Sequence, residues 1–383
     1  MMVLQETVYL DNAATTFPKS ENVYKAMDRV NRLYAVNAGR GSYTLARKAT
    51  QIIDDAKKML LEFVNAPVTA KVVLTPSITI ALNIILQGIE WQKGDTVYVS
   101  PYEHNAVART FNLIKEKYQI EMKLMPVNDE LEINLTLLED LFIKDKPKCV
   151  CCTGVSNVTG YILPTKDIFR IAKKINAITI LDSAQSLGLI KQDADNIDFL
   201  AFAGHKTLYG PLGVGGFIDN SNIKLGNLIV GGTGSNSLDL SMPEISPYSY
   251  ESGSANIVAI AGLKAALEEI DVDSNFKKEK ELTEYLVEKL QEIYGIRLYV
   301  PNDEKHIGIV SFNIKGPGLS ADEVGKILDE EFNIAVRTGY HCAPYVHEII
   351  DDKVYNGTVR VGLGRFNTRE DIDALCEALE QMV

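Results

Sequence analysis

The sequence contains no run of 18 apolar residues, so it offers no segment of the length that crosses a bilayer as a helix. Its first ten residues lack a basic stretch followed by an apolar core, which leaves no readable secretory signal. Cysteine is scarce and odd in number: Cys149, Cys151, Cys152, Cys342 and Cys376, three of them within one short apolar run. That is a poor disulfide framework, and no ligand pair has finger-like spacing, so neither disulfide staples nor a metal site is expected. Positive charge is also short, with 39 Lys and Arg against 51 Asp and Glu, a formal net charge of -12. The deficit disfavours nucleic acid, whose phosphates need clustered cations, but leaves room for a small anion held by a few placed ones. Two nucleotide signatures are missing: no G-x-G-x-x-G opens a helix directly after a strand, and no Walker A motif occurs. What remains reads as a soluble protein with a reducing cytoplasm as its setting. At 383 residues it is long enough to bury a large core without staples.

Short β-branched runs alternate with helical periodicities, which predicts an α/β chain with a mostly parallel sheet. The expected strands are Lys71–Thr75, Thr96–Ser100, Glu121–Val127, Cys149–Val155, Ile178–Asp182, Phe199–Gly204 and Val214–Asp219. Between them, Ile168, Ile171, Ala172 and Ile175 give i, i+3, i+4, i+7 spacing, and a second helical stretch carries Ile260, Leu263, Leu267 and Ile270. The texture changes at Asp271–Lys280, a charged stretch without an apolar stripe of its own. The later pattern of helix, strand, helix, strand, helix predicts a smaller α+β domain. Ser320 with Glu323, and Thr368 with Asp371, read as capping boxes opening its last two helices. The division expected is an N-terminal segment, 1–20, lying over the site; a large α/β domain, 21–270; and a small domain, 271–383.

Several strand ends carry groups suited to chemistry, and ligands in open α/β sheets bind at the carboxyl ends of strands. Ile180-Leu-Asp-Ser-Ala-Gln185 ends an apolar strand on Asp182. Pyridoxal 5'-phosphate (PLP) needs such an acid against its pyridine nitrogen, with Gln185 donating to the ring's phenolic oxygen; a strand-end Asp that caps the next turn is the competing reading. Gly204-His205-Lys206 leads into a glycine-rich turn. A lysine there suits attachment to a cofactor aldehyde, with His205 near its phosphate, although a solvated loop lysine has the same sequence. His104 follows Thr96–Ser100, where a flat imidazole can stack on a flat ring or serve a structural role. Ser156-Asn157 follows the cysteine-rich strand, and Leu74-Thr-Pro-Ser-Ile-Thr79 offers hydroxyls and amides at an expected helix N-terminus, which favours phosphate. Cys342 lies in Val336-Arg-Thr-Gly-Tyr-His-Cys-Ala-Pro344 beside Arg337 and His341, and nearby positive charge favours the nucleophilic thiolate. Arg360 sits in an otherwise apolar strand, which fits either a clamp for a substrate carboxylate or a structural ion pair. Cys149, Cys151 and Cys152 read as small core hydrophobes.

Together these pieces resemble the class V aminotransferase family of PLP enzymes and, within it, the cysteine desulfurases. The likeness runs from Tyr9-Leu-Asp-Asn-Ala-Ala-Thr-Thr16 through Asp182-x-x-Gln185, Gly204-His-Lys206 and Arg337-Thr-Gly-Tyr-His-Cys342 to Val359-Arg360-Val. Each motif is modest alone; their order and spacing as a set are specific. The loop at Arg337–Cys342 is similar to that of the second desulfurase group, which also contains selenocysteine lyases. The resemblance implies a PLP-dependent transferase fold of type I, with a seven-stranded sheet in the large domain. It implies Lys206 as Schiff-base lysine, Asp182 and Gln185 on the ring, His104 stacked above it, and Asn157 near cofactor and substrate. Thr79 and His205 would hold the phosphate, with Ser254 reaching in from the second subunit of a homodimer. Arg360, with Arg337 nearby, would bind the carboxylate of L-cysteine or L-selenocysteine, and Cys342 would take the sulfur as a persulfide for an acceptor protein. The chain departs from the family pattern at Ala203, where a hydroxyl residue is usual, at Ile78 and Ile80 around Thr79, at Ser254 in place of Thr, at Thr207 and at Tyr340. These changes make the phosphate cup less polar. Competing functions are a selenocysteine lyase, another class V aminotransferase or epimerase, and a non-catalytic scaffold that docks a sulfur carrier.

Overall fold

The computed structural model describes residues 7–39, 41, 43–234, 238–316 and 318–383. Residues 1–6 of the expected N-terminal segment therefore lie outside the described residues. The first part of the chain runs β1 (Val8–Tyr9), α1 (Glu21–Leu33), α2 (Thr44–Phe63), β2 (Lys71–Thr75), α3 (Ile78–Gly88), β3 (Thr96–Val99) and α4 (Asn105–Tyr118). It continues through β4 (Glu121–Leu124), α5 (Leu135–Asp145), β5 (Cys149–Thr153), α6 (Thr165–Lys174), β6 (Ile178–Asp182), β7 (Phe199–Ala203) and β8 (Gly215–Asp219). After α7 (Ile257–Leu267) and α8 (Val272–Glu292) come β9 (Ile296–Tyr299), β10 (Ile309–Ile314), α9 (Ala321–Phe332), β11 (Ile334–Ala335), β12 (Arg337–Gly339), α10 (Val346–Ile349), β13 (Thr358–Gly362) and α11 (Arg369–Glu380).

The seven runs expected as strands form one seven-stranded sheet in the order β2-β8-β7-β6-β5-β3-β4. Only β8 is antiparallel to its neighbours. Several strands stop short of their expected ends: β4 at Leu124 rather than Val127, and β5 at Thr153 rather than Val155. There the chain leaves the sheet to build the loops of the site. The central strands are buried and mostly apolar because helices cover both faces. Alternation distributes them: Val97, Val99, Cys149, Cys151, Ile180 and Phe199 join one core. Tyr98, Val150, Cys152, Leu181 and Leu200 join the other. Each large side chain buried this way contributes ~1.5–3 kcal/mol.

The second sheet is antiparallel, in the order β12-β13-β10-β9. Its apolar face packs on α8, α9 and α11 through Leu286, Phe312, Val324, Val361, Ile372 and Leu379. Both expected capping boxes form, at Ser320–Glu323 and Thr368–Asp371. One expectation needs correction. The N-terminal segment does more than lie over the site: β1 pairs in parallel with β11, and Leu10 is fully buried in the second core. The charged stretch Asp271–Lys280, which has no apolar stripe of its own, forms the N-cap and first turns of α8. Its inward face is polar: Asn275 donates to Gly188 O, the Tyr209 hydroxyl donates to Glu279, and Gly308 N donates to Thr283. A stripe of hydrogen bonds replaced the apolar stripe.

Candidate active site

Because β2, β3, β5, β6 and β7 run parallel, their carboxyl ends converge on one side of the sheet. A cleft of about 240 Å³ opens there, lined by Thr79, His104, Asn157, Asp182, Gln185, His205 and Lys206, with Arg337, Cys342 and Arg360 from the second sheet's side. Every site residue expected from the sequence is in this lining except Ser254, which is exposed on the loop before α7.

Lys206 follows β7 in a turn gripped by the N-terminal segment: Thr16 N, the Thr15 hydroxyl and Lys19 Nζ all donate to His205 O. Burial lowers the Lys206 amine to about 8, Asp182 opposes that shift, and Arg360 and Arg337 reinforce it. Asp182 ends β6, accepts from Ala184 N at 2.9 Å, and has its carboxyl raised by burial. Gln185 donates one amide N–H to Ala13 O at 2.7 Å, leaving its second N–H for the cleft. His104 caps α4, its Nδ1 accepting from Ala106 N at 3.0 Å. Burial, then Lys206 and three arginines, lower its pKa to about 4, so the ring is neutral with its proton on Nε2. Beside it, the Glu103 carboxyl accepts from Ser100 Oγ and Thr153 N and is raised to about 8 by complete burial and the Asp182 charge. The sequence reading assigned Glu103 no role, and a glutamate beside a histidine carries no signal of such burial.

Arg360, only 2% exposed, donates through Nη1 to Asn157 O and through Nη2 to Asp11 Oδ1, each at 2.9 Å. Arg337 pairs directly across the ladder from Arg360, and its guanidinium lies 3.9 Å from the other Asp11 oxygen. Like charges facing each other across strands repel, and Asp11 offsets that repulsion. The three groups together leave one net positive charge, the complement of one carboxylate. Sequence alone gives Asp11 no role, because its partner lies 349 residues away.

Cys342 is exposed, in a turn where His341 and Cys342 both have positive φ, 45° and 55°. Non-glycine residues in this region cost ~1–3 kcal/mol each, and two donors from the sheet side hold the turn: Asn157 Nδ2 to His341 O and Asn105 N to Cys342 O. The charge beside Cys342 differs from the expectation. His341 places Nε2 against Thr358, and burial keeps its pKa well below the ordinary value, so the positive charge comes from the arginines and from Lys206 instead.

The cleft suits PLP by the chemistry of its donors. An acid ends the central strand, a lysine faces it, and His205 Nδ1 is buried without a partner, as a phosphate neighbour requires. Ser77 caps α3 at the same end, and Ile78 and Thr79 begin that helix within the lining. Ala203 is packed among apolar core residues and contributes no polar group. Among the described residues, no group of three or more His, Cys, Asp and Glu is placed to hold a metal ion, and no helix is long and apolar enough to cross a membrane.

Comparison with known proteins agrees with this architecture. The profile of the class V aminotransferases matches residues 8–375. A Methanothermobacter thermautotrophicus protein named probable cysteine desulfurase is 33% identical over 392 aligned residues, covering 99% of this chain and 96% of its own. A Pyrococcus abyssi protein of the same name is 33% identical over 396, covering 99% and 95%. The apo cysteine desulfurase from Thermococcus onnurineus superposes with a TM-score of 0.90 at 30% identity, covering 98% of this chain and 94% of that one. A match spanning nearly every residue, on this fold and around this cleft, places the chain in the class V aminotransferase family.

Proposed function

We propose that the chain is a PLP-dependent cysteine desulfurase that converts L-cysteine to L-alanine and takes the sulfur onto Cys342 as a persulfide. The observation that carries this reading is the meeting of Lys206, Asp182 and Arg360 with an exposed, arginine-flanked Cys342 in one cleft. An aminotransferase needs the first three; only sulfur transfer needs the fourth.

When bound, PLP supplies an electron sink that stabilises negative charge at the substrate carbons. Asp182 would hold the pyridine nitrogen and Gln185 the phenolic oxygen, His104 would lie against the ring, and Thr79 and His205 would hold the phosphate. Arg360, with Arg337, receives the substrate carboxylate and fixes the amino acid with its side chain toward Cys342. Lys206 moves the proton between the substrate's α-carbon and its own amine, a task suited to a pKa near neutrality. The Cys342 thiolate attacks the substrate sulfur, the carbon–sulfur bond breaks, and its electron pair stays on carbon. Protonation there completes alanine. Atoms balance: cysteine plus the enzyme thiol give alanine plus the enzyme persulfide, with sulfur oxidised and carbon reduced. L-Selenocysteine fits the same steps.

The reading extends to a homodimer in the cytoplasm. Ser254, exposed here and outside its own chain's cleft, fits a role at the partner subunit's phosphate. The persulfide passes to an acceptor thiol. The test is the absorbance of purified protein before and after L-cysteine, with alanine and sulfide assayed. A visible band that changes, with alanine released and sulfide appearing under reductant, is the expected result. A band responding to other amino acids without alanine from cysteine would move the function to an aminotransferase or epimerase, and no band even with added PLP would favour the scaffold.

A further inference from the structure

Cys342 belongs to two cavities at once. On one side is the inner cleft; on the other is an open groove of about 840 Å³ that shares only Arg337, His341 and Cys342 with it. One wall of the groove is a face of α4 from Asn105 to Asn112, and the other carries Tyr340, Tyr345 and Lys353. The charged groups lining it are Arg109, Arg337 and Lys353 against Glu348 alone. His341 is held neutral by burial. The local balance is thus positive in a chain whose net charge is -12. Among the described residues, neither Arg109 nor Lys353 forms an ion pair, and both are exposed.

We propose that this groove docks the sulfur acceptor, and that the acceptor thiol lies on an acidic polypeptide segment; the inference rests on the desulfurase reading above. The physical reason is local steering. The net charge of -12 repels an acidic partner on average, the groove attracts it locally, and screening confines each field to ~8 Å at physiological salt. A basic partner would meet like charge at the groove itself. The cations stand on both walls, so one small anion leaves some of them unanswered, whereas carboxylates on either side of a thiol reach both. The α4 wall is ~10 Å long, the rise of seven helical residues, which matches roughly three residues of extended chain. Tyr340 and Tyr345 offer ring faces for its side chains.

The transfer itself is an exchange without net oxidation. The acceptor thiolate attacks the outer sulfur of the Cys342 persulfide, the sulfur–sulfur bond to Cys342 breaks, and Cys342 leaves as a thiolate. The acceptor then carries the persulfide.

The experiment loads the PLP-bound enzyme with L-cysteine, removes excess substrate, and follows loss of the persulfide by intact mass. The probes are three synthetic peptides with one cysteine flanked by Glu, Gln or Lys, together with dithiothreitol and glutathione. The Glu peptide is expected to discharge the persulfide at least tenfold faster than the Lys peptide at low salt, with the gap closing at high salt. The Arg109→Glu/Lys353→Glu variant should reverse the order and Arg109→Gln/Lys353→Gln should abolish it, with cysteine loading and dithiothreitol discharge unchanged. Equal rates for the three peptides, or an unaltered order in both variants, would overturn the proposal. So would glutathione matching the Glu peptide, which would make the groove a small-thiol site. If no persulfide forms on Cys342, the desulfurase reading fails by itself. Binding of dye-labelled peptides with Ser in place of Cys then decides the groove's charge preference separately.

Discussion

Lys206 is the residue whose environment makes the most quantitative demand. Its amine is brought from an ordinary 10.5 to about 8, chiefly by burial. Each pKa unit is ~1.4 kcal/mol, so the shift corresponds to ~3 kcal/mol of disfavoured charge. At pH 7 the neutral, nucleophilic fraction is then ~9% instead of ~0.03%, a gain of roughly 300-fold. The sign follows: the neutral amine attacks an aldehyde, so capture of PLP by the apoprotein should speed up with rising pH and level off above about 8. Asp182 acts against burial by stabilising the ammonium. Asp182→Asn should therefore move the midpoint lower still, even though it weakens the hold on the ring. The assay mixes apoprotein with PLP across pH 6 to 11, traps the product with borohydride at timed intervals, and measures labelled Lys206 by peptide mass spectrometry. A wild-type midpoint near 10 would show that the amine is solvated, and an upward shift in Asp182→Asn would refute the assigned electrostatics.

Cys342→Ala should keep the visible band of the bound cofactor and lower alanine release from L-cysteine by ~100-fold or more, with no sulfur atom added to the intact mass; normal turnover would remove Cys342 from the route. Arg360→Ala should raise the KM for cysteine by ~10–100-fold, the worth of one charge-assisted hydrogen-bond pair, and a lowered Tm with unchanged KM would assign Arg360 to Asp11 alone. Asp11→Asn tests the other half: it strands a buried guanidinium at ~3–5 kcal/mol in urea unfolding while leaving more positive charge for the substrate, so stability should fall and KM should not rise. Burial lowers His306 to about 4, and its Nε2 lies 2.7 Å from Ile309 O. Its contribution is whole above the unfolded value of about 6.5 and is lost as pH falls toward 4, ~2 kcal/mol of it by pH 5. His306→Gln should shrink the stability difference between pH 7 and pH 5 by that amount; an identical difference in both proteins would place the acid sensitivity elsewhere.

The fold was legible where burial is two-sided and local. A strand covered on both faces must be apolar along its whole length, so Cys149–Thr153 and Phe199–Ala203 announce themselves without reference to anything else. The convergence of the expected site residues was legible for a related reason. His104, Asn157, Asp182 and Lys206 each sit just past a strand, and parallel strands deliver their carboxyl ends to one edge. Strand order, by contrast, lies in contacts between distant segments, and nothing within Gly215–Asp219 says that β8 runs against its neighbours.

What escaped the sequence reading shares one property: its meaning depends on a partner far along the chain. The first half of α8 shows no apolar stripe because Asn275, Glu279 and Thr283 bury themselves by hydrogen bonds instead. Asp11 looked like any turn aspartate until Arg360 and Arg337 arrived beside it. The same holds for the charge at Cys342. A sequence in which His341 adjoins a cysteine suggests a cationic imidazole, yet fully packed surroundings disfavour the protonated ring. The thiol therefore takes its positive neighbours from arginines, which stay charged throughout, and from Lys206, which is protonated near pH 6. Activation of Cys342 by those neighbours should accordingly show no step near pH 6, the range in which a histidine-activated cysteine would lose or gain its partner's charge. Iodoacetamide labelling of Cys342 against pH, in the apoprotein, separates the two cases: a smooth profile through pH 6 fits neighbours that stay charged there, and an inflection near 6 would return the role to His341.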